Sequence, residues 1–203
     1  MPFLEHGDLA RVAQQAAIVA KALRPYIDKG YDIIAPTASC GLMLKFEWPL
    51  IVPENEDVKV LSAATRDICQ YVVDIAKKEG LAVKPQPVAG GVSAHLACHA
   101  RAQNMGQKSA ELLRLIPDTK VTVVERCSGH GGTFGVMKET YPIAQKVAKN
   151  AVNAVKRAMS AEVCSDCPLA CKHIVQELDN AGAPAPKPKH PIEIFAAACG
   201  LME

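Results

Sequence analysis

The sequence predicts an α/β fold on a parallel sheet, in which a truncated, degenerate first repeat precedes a second and more complete copy rich in cysteine. Three observations carry that prediction. Helical and extended patterns follow one another as helix, strand, helix, and then again. Four cysteines, Cys98, Cys127, Cys164 and Cys167, each fall just past the carboxyl end of a predicted strand. Two stretches of the chain also align on one another, with Cys40 on Cys167, Thr37 on Cys164 and YDIIA on SAEV.

The elements follow in order. From Asp8 to Leu23, apolar residues recur at Leu9, Val12, Ala13, Ala16, Val19, Ala20 and Leu23, an amphipathic helix with Asp8 as its N-cap. Tyr31 to Ala35 is a short buried strand, and Cys40 opens the next helix. Pro49 and Pro53 interrupt the chain before a long helix, Asp57 to Glu79, which turns Leu61, Ile68, Val72 and Ile75 inward. Gly80 to Gly91 (GLAVKPQPVAGG) has the composition of a linker. Strands then follow at Val92–Ala97 and Lys120–Glu125, with a helix from Asn104 to Ile116 between them. After a glycine-rich loop, CSGHGGT, come a helix from Thr140 to Met159 and a strand, Ala161–Val163. A proline-rich crossing, Ala181 to Pro191, precedes the last helix, Ile192 to Leu201. The expected domains are 1–84, a partial first repeat with its connector helix, and 85–203, the second repeat.

With 203 residues the chain can bury a sizeable core. Its 23 basic and 21 acidic residues are mixed along the sequence, and aromatics make up only 4%. Neither a basic stripe nor a set of stacking platforms emerges, which argues against nucleic-acid binding. No apolar stretch approaches the ~20 residues of a membrane-spanning helix. The opening MPFLEHGDLAR lacks the apolar run of a secretory leader, so the eight cysteines are expected in a reducing compartment. There, thiols bind metals or react instead of forming structural disulfides.

The spacing Cys98-x28-Cys127-Ser128-x35-Cys164-x2-Cys167 takes thiols from three separate loops. Thiolates select zinc or iron–sulfur clusters over hard cations. The long intervals differ from the two close pairs of a compact zinc finger. In open parallel sheets the carboxyl edge is where ligands bind. The reading from residues alone is therefore a metal or cluster site, a [4Fe–4S] cluster or zinc, with Gly129, Gly131 and Gly132 allowing the backbone close to a bulky cofactor. A redox dithiol at Cys164 and Cys167 is the rival chemistry. Around this set, Cys171 shares a helix face with Cys167 but reads as a packed thiol, Cys69 and Cys199 read as core, and Cys40 reads as a free thiol. His99 and His130 are either loop histidines or groups that support or replace a thiol, and Ser128 is a minor oxygen candidate.

Several of these segments resemble the cysteine-rich (CCG) domain family of iron–sulfur oxidoreductases. HLACH at His95–His99 is similar to that family's H-x-P-C-H motif. Glu111 to Pro117 (ELLRLIP) is similar to its E-L-L-R-x-I-P, Glu125 to Phe134 (ERCSGHGGTF) to E-x-x-C-C-G-x-G-G-T-F/Y, and Cys164 to Cys167 to the closing C-x-x-C. Ser39 to Pro49 resembles the end of the preceding domain in the same proteins. The family includes a subunit of anaerobic glycerol-3-phosphate dehydrogenase, whose C-terminal part is the portion resembled, and two subunits of heterodisulfide reductase.

The resemblance implies an iron–sulfur electron-transfer subunit, not itself catalytic, relaying electrons between a flavin dehydrogenase and a quinone or disulfide acceptor. A ferredoxin-type subunit would be a further partner, and the location would be cytoplasmic or peripheral to the inner face of the membrane. Cys98, Cys127, Cys164 and Cys167 would be the ligands. The sequence departs from the family at Ser128, where a second cysteine would stand, and at Thr37, where the first repeat would carry a ligand. Nor does it contain the C-x-x-C-x-x-C-x-x-x-C-P runs of a ferredoxin segment. The alternative is a non-redox zinc-binding or docking module on the same scaffold. A strand at 31–35 left without neighbours leads to the expectation of a homo- or hetero-oligomer.

Overall fold

A computed structural model describes residues 2–202, and their architecture is α/β with two small parallel sheets. Helix α1 (Pro2–Glu5) leads into α2 (Leu9–Ile27), capped by the Asp8 carboxylate, which accepts from the Arg11 N–H at 3.1 Å. Its apolar spacing puts Val12, Ala16 and Ala20 on one face. That face packs with Met43, Trp48, Val58 and Leu61 into the first core. Strand β1 (Ile33–Ala35) and α3 (Ala38–Leu42) follow, then a π-helical turn at Met43–Glu47 and α4 (Trp48–Ile51).

The single long helix expected from Asp57 to Glu79 is in fact three elements: α5 (Glu56–Ala64), β2 (Thr65–Asp67) and α6 (Ile68–Glu79). Two side chains make the break. Thr65 turns its hydroxyl back onto the Leu61 carbonyl at 2.7 Å, and Asp67 caps the new helix through the Cys69 and Gln70 N–H groups at 2.8 and 3.2 Å. The three freed residues pair in parallel with β1, Ile33 opposite Thr65 and Ala35 opposite Asp67. The strand expected to lack neighbours thus gains one from its own chain.

The second sheet has the order β4-β3-β5, all parallel, from β3 (Val92–His95), β4 (Val121–Val124) and β5 (Glu162–Ser165). Between β3 and β4 run α7 (Cys98–Ala102) and α8 (Lys108–Leu113). The helix expected to begin at Asn104 starts later because Asn104 and Gly106 both adopt positive φ, 54° and 81°. Helix α9 (Tyr141–Ala158) joins β4 to β5, and α10 (Pro168–Asn180) and α11 (Pro191–Ala198) complete the chain.

Each face of this sheet has its own core. On one, Val92, Ala94 and Cys164 meet Cys69 and Val73 of α6, Leu112 and Leu113 of α8, and Ile194 and Phe195 of α11. On the other, Val124 and Val163 meet Ala148, Ala151 and Val152 of α9 and Cys171 and Ile174 of α10. The connection leaving β3 therefore covers one face, together with α6 and α11, and the helices directly after β4 and β5 cover the other. Loops part at the carboxyl edge on either side of β3, the place where such sheets hold ligands. The two sheets also touch there. The Asp166 carbonyl accepts from Ala38 N–H at 3.3 Å, and the Gln103 amide donates to the Ala38 carbonyl at 3.1 Å.

Candidate metal centre at the carboxyl edge

Cys98 is the first residue of α7 and is exposed. Cys127, also exposed, lies three residues beyond the end of β4. The two thiols are near enough to interact: burial raises the Cys98 pKa, the neighbouring Cys127 raises it further, and Arg101 opposes both. A bound cation would reverse that preference, because a metal stabilises both thiolates at once.

The loop that brings Cys127 there is held down by a glycine. Gly129 has φ +74°, and a Cβ on it would lie 2.2 Å from the Ala144 carbonyl oxygen and 3.0 Å from Ala148 N. The loop backbone therefore lies directly against α9, and the Gly129 N–H points back to the Cys127 sulfur at 3.4 Å. From sequence, this glycine reads as space for a cofactor; in the structure it is space for a helix.

Cys167 is the N-cap residue of α10, half-buried against Ala38, Ala97 and Ala100. It comes to the same edge from β5. Cys164 does not. The strand expected to stop at Val163 runs on to Ser165, so Cys164 sits inside it, opposite Ala94, fully buried in the first face's core. Burial drives its thiol pKa well above the ordinary range, with Cys171, Asp166 and Glu162 pushing it the same way. The C-x-x-C pair is thereby split, with one thiol at the edge and one sealed below it. Among the described residues, no three histidine, cysteine or acidic side chains converge as a metal-binding group.

Cys69 is buried in the Cys164 core, and Cys199 is half-buried beside it. Cys171 is fully buried, its thiol facing the Val163 carbonyl at 3.6 Å and pushed up to about 12, mainly by burial. Cys40 is exposed on α3. Ser128 is buried and accepts from the His130 N–H at 3.4 Å. His99 is half-buried. His130 is buried, with its ring 6.2 Å from that of His173 and its Nε2 without a partner. Desolvation lowers its pKa, His173 adds to this, and Glu5 opposes it.

Sequence reasoning passed over three residues. His95 and Ser165 are buried at the ends of β3 and β5, with a ring nitrogen and the hydroxyl 2.8 Å apart. Asp166 is 2% exposed, and one carboxylate oxygen accepts from Ser109 at 3.3 Å while the other has no partner. Burial first, and then Asp67, raises its pKa to about 7. The signal for His95 lay in the HLACH motif. Ser165 and Asp166 lay hidden as the two variable positions of C-x-x-C.

Comparison with known proteins bears on this edge. The family described as Cysteine-rich domain, CCG, matches residues 92–175. The chain is 28% identical over 204 residues to a subunit of the anaerobic glycerol-3-phosphate dehydrogenase of Escherichia coli (strain K12), covering 98% of this chain and 48% of that protein. It is 30% identical over 117 residues to lactate utilization protein A of Geobacillus sp. (strain WCH70), 53% of this chain and 47% of that one. To a subunit of the fumarate reductase (CoM/CoB) of Methanothermobacter marburgensis it is 28% identical over 159 residues, 76% of this chain and 30% of that one. The chain thus spans about half the length, or less, of these curated relatives. The matched segment begins at the first residue of β3 and ends within α10, so it takes in all four cysteines of the sequence motif. Residues 92–175 of this chain thus match the cysteine-rich domain described by the CCG family.

Proposed function

We propose that this chain is an iron–sulfur electron-transfer module of an oxidoreductase assembly, with its cluster at the carboxyl edge of the β4-β3-β5 sheet. The observation that carries this reading is the meeting of the Cys98 and Cys127 thiols at that edge, with Cys167 arriving from the third strand. Cys98, Cys127 and Cys167 fit a soft-metal centre by donor type and by accessibility. Cys164 completes a four-thiolate set only if the last residues of β5 leave the core, so metal binding and local opening are coupled there. A bound cluster supplies a one-electron couple.

The chain's own residues do the rest. Gly129 keeps the Cys127 loop down on α9, Ala97 and Ala100 wall the edge, and the buried helix faces exclude water from behind. The similarity to subunits of glycerol-3-phosphate dehydrogenase and fumarate reductase supports a place beside other subunits. A flavin dehydrogenase on one side and a quinone or disulfide acceptor on the other is the arrangement proposed. No described helix is long and apolar enough to cross a membrane.

Anaerobic purification followed by iron, sulfide and zinc analysis tests the reading. The expected protein is brown, with iron and sulfide in equal amounts, and it loses both on Cys98→Ser, Cys127→Ser or Cys167→Ser. A colourless protein with stoichiometric zinc would replace electron transfer with a structural metal role. Full iron retention by all three variants would move the site elsewhere.

A further inference from the structure

We infer that His95, together with Ser165, is the positioning residue that locks the three thiol-bearing segments of the edge into one frame. This deepens the proposed metal-centre reading and rests on it for its functional meaning, although the frame itself exists in the metal-free protein.

Hydrogen-bond direction fixes this frame. His95 is the last residue of β3, paired in register with Val124 of β4 on one side and Ser165 of β5 on the other. Its ring is 2% exposed, and both nitrogens are engaged: Nε2 lies 2.8 Å from the Arg126 carbonyl and Nδ1 2.8 Å from the Ser165 hydroxyl. A carbonyl can only accept, so Nε2 carries the proton and donates to Arg126. In a neutral imidazole Nδ1 must then accept, and the Ser165 hydroxyl is its donor. That leaves a Ser165 oxygen lone pair free to accept, and the Cys167 N–H donates to it at 3.2 Å. The result is a directional chain from the Cys167 amide through Ser165 and His95 to the Arg126 carbonyl, one peptide bond short of Cys127. Cys98 lies three residues beyond His95 on the same segment. One imidazole therefore ties β3's cysteine to those that follow β4 and β5.

Every link has its proton specified, and reversing any one leaves a buried donor facing a donor or an acceptor facing an acceptor. Burial favours the neutral ring, with Arg101 adding to the effect, while the bond to Arg126 opposes it. That preference keeps the ring neutral, and the Arg126 carbonyl then fixes its tautomer.

The variants separate the two arms. In His95→Gln the amide nitrogen reaches the Nε2 position and keeps the Arg126 bond, whereas in His95→Asn the amide oxygen stands near Nδ1 and keeps the Ser165 bond. Alkylation of the metal-free native protein, resolved by peptide mass, is the readout. His95→Asn is expected to speed labelling of Cys127, and His95→Gln and Ser165→Ala that of Cys167, each by roughly three- to tenfold for the net worth of one such bond. Ser165→Thr, which keeps the hydroxyl, restores the wild-type rate.

Cys69, buried on α6 away from β5, serves as the control, and if its labelling rises in step the effect is loss of fold and the positioning role is overturned. Unchanged Cys127 and Cys167 rates in all variants overturn it equally. Nitrogen NMR of wild-type His95 gives a test without mutation: the Nε2-protonated neutral tautomer is expected, and an Nδ1-protonated ring refutes the chain. With iron loaded, the same variants should retain metal about 10- to 100-fold more weakly and shift the cluster's visible and magnetic spectra. If the wild type takes up no metal, the functional reading fails while the labelling and NMR results still decide the frame.

Discussion

Gly129→Ala tests whether the approach of a loop to a helix, and not room for a cofactor, holds the edge together. The perturbation is one methyl group. In the native geometry it falls 2.2 Å from the Ala144 carbonyl oxygen and 3.0 Å from Ala148 N, both backbone atoms of α9 that no rotamer change can move aside. The residue would also keep φ near +74°, which disfavours a side chain by roughly 1–2 kcal/mol. Overpacking against a rigid neighbour adds about 1–3 kcal/mol. The sum, about 2–5 kcal/mol, is a large part of the stability of an ordinary domain. With a urea slope near 2 kcal/mol/M, the unfolding midpoint should fall by roughly 1–2.5 M. Relief by lifting the loop would carry Cys127 away from Cys98, so oxidation of these two thiols to a disulfide in the metal-free protein should slow together with the loss of stability. A midpoint within about 0.3 M of wild type, with unchanged Cys98–Cys127 oxidation, would refute the close approach and return Gly129 to the role the sequence suggests.

Other outcomes follow from placement and charge. In native metal-free protein, Cys40, Cys98 and Cys127 should alkylate first and Cys167 later. Cys69, Cys164 and Cys171 should lag by about two orders of magnitude, because they react only through local opening; time-resolved mass spectrometry checks the order. Cys164→Ser buries a hydroxyl in an apolar core and should lower stability by about 1–3 kcal/mol in urea titration, while Cys98→Ser, at an exposed position, should change it by less than about 0.5 kcal/mol. Asp166 has a folded pKa near 7 against an ordinary 3.8, so its carboxyl favours folding when protonated. That contribution is complete below about pH 4 and is lost as pH rises through 7, by up to about 4 kcal/mol for three pKa units. Asp166→Asn should therefore flatten the fall in urea midpoint of the metal-free protein between pH 5 and 8, and an unchanged slope would show that Asp166 ionises freely.

Much of the second unit was legible because its periods are unambiguous. VTVV between a proline-aspartate turn and a polar loop can only be a strand, and the alanine stripe from Ala144 to Ala151 can only be a helix face. The cysteines at strand ends followed from those boundaries, and Cys98, Cys127 and Cys167 stand at the edge as expected. The losses have local causes. Thr65 to Asp67 adopt extended structure inside an otherwise helical apolar period, and three residues are too few to alter that period; only the Thr65 and Asp67 side-chain bonds reveal the break. Asn104 in the left-handed region removed the first turn of a helix whose pattern looked continuous.

Cys164 was misplaced for a different reason, and it bears on how this edge works. β5 is covered on both faces and bridged along its free edge by Lys189, whose carbonyl accepts from Ser165 N–H at 3.2 Å while its own N–H donates to Val163 at 3.3 Å. A strand buried on every side shows no alternation of polar and apolar residues, so nothing in EVCSDC marks where it ends. The ladders to β3 on one side and Lys189 on the other, not the composition, carry it two residues further and turn Cys164 into the core. The same pairing sets Ser165 beneath His95 and leaves Cys167 as the first residue free of the sheet. A change that weakened the Lys189 pairing would thus release Cys164 toward the edge and loosen Ser165 at once. Exposure of Cys164 and rigidity of the other edge thiols are therefore opposed in this fold. Lys189→Pro, which removes the N–H bonded to Val163, should raise Cys164 alkylation together with that of Cys167. A rise in Cys164 alone would show that the two are independent.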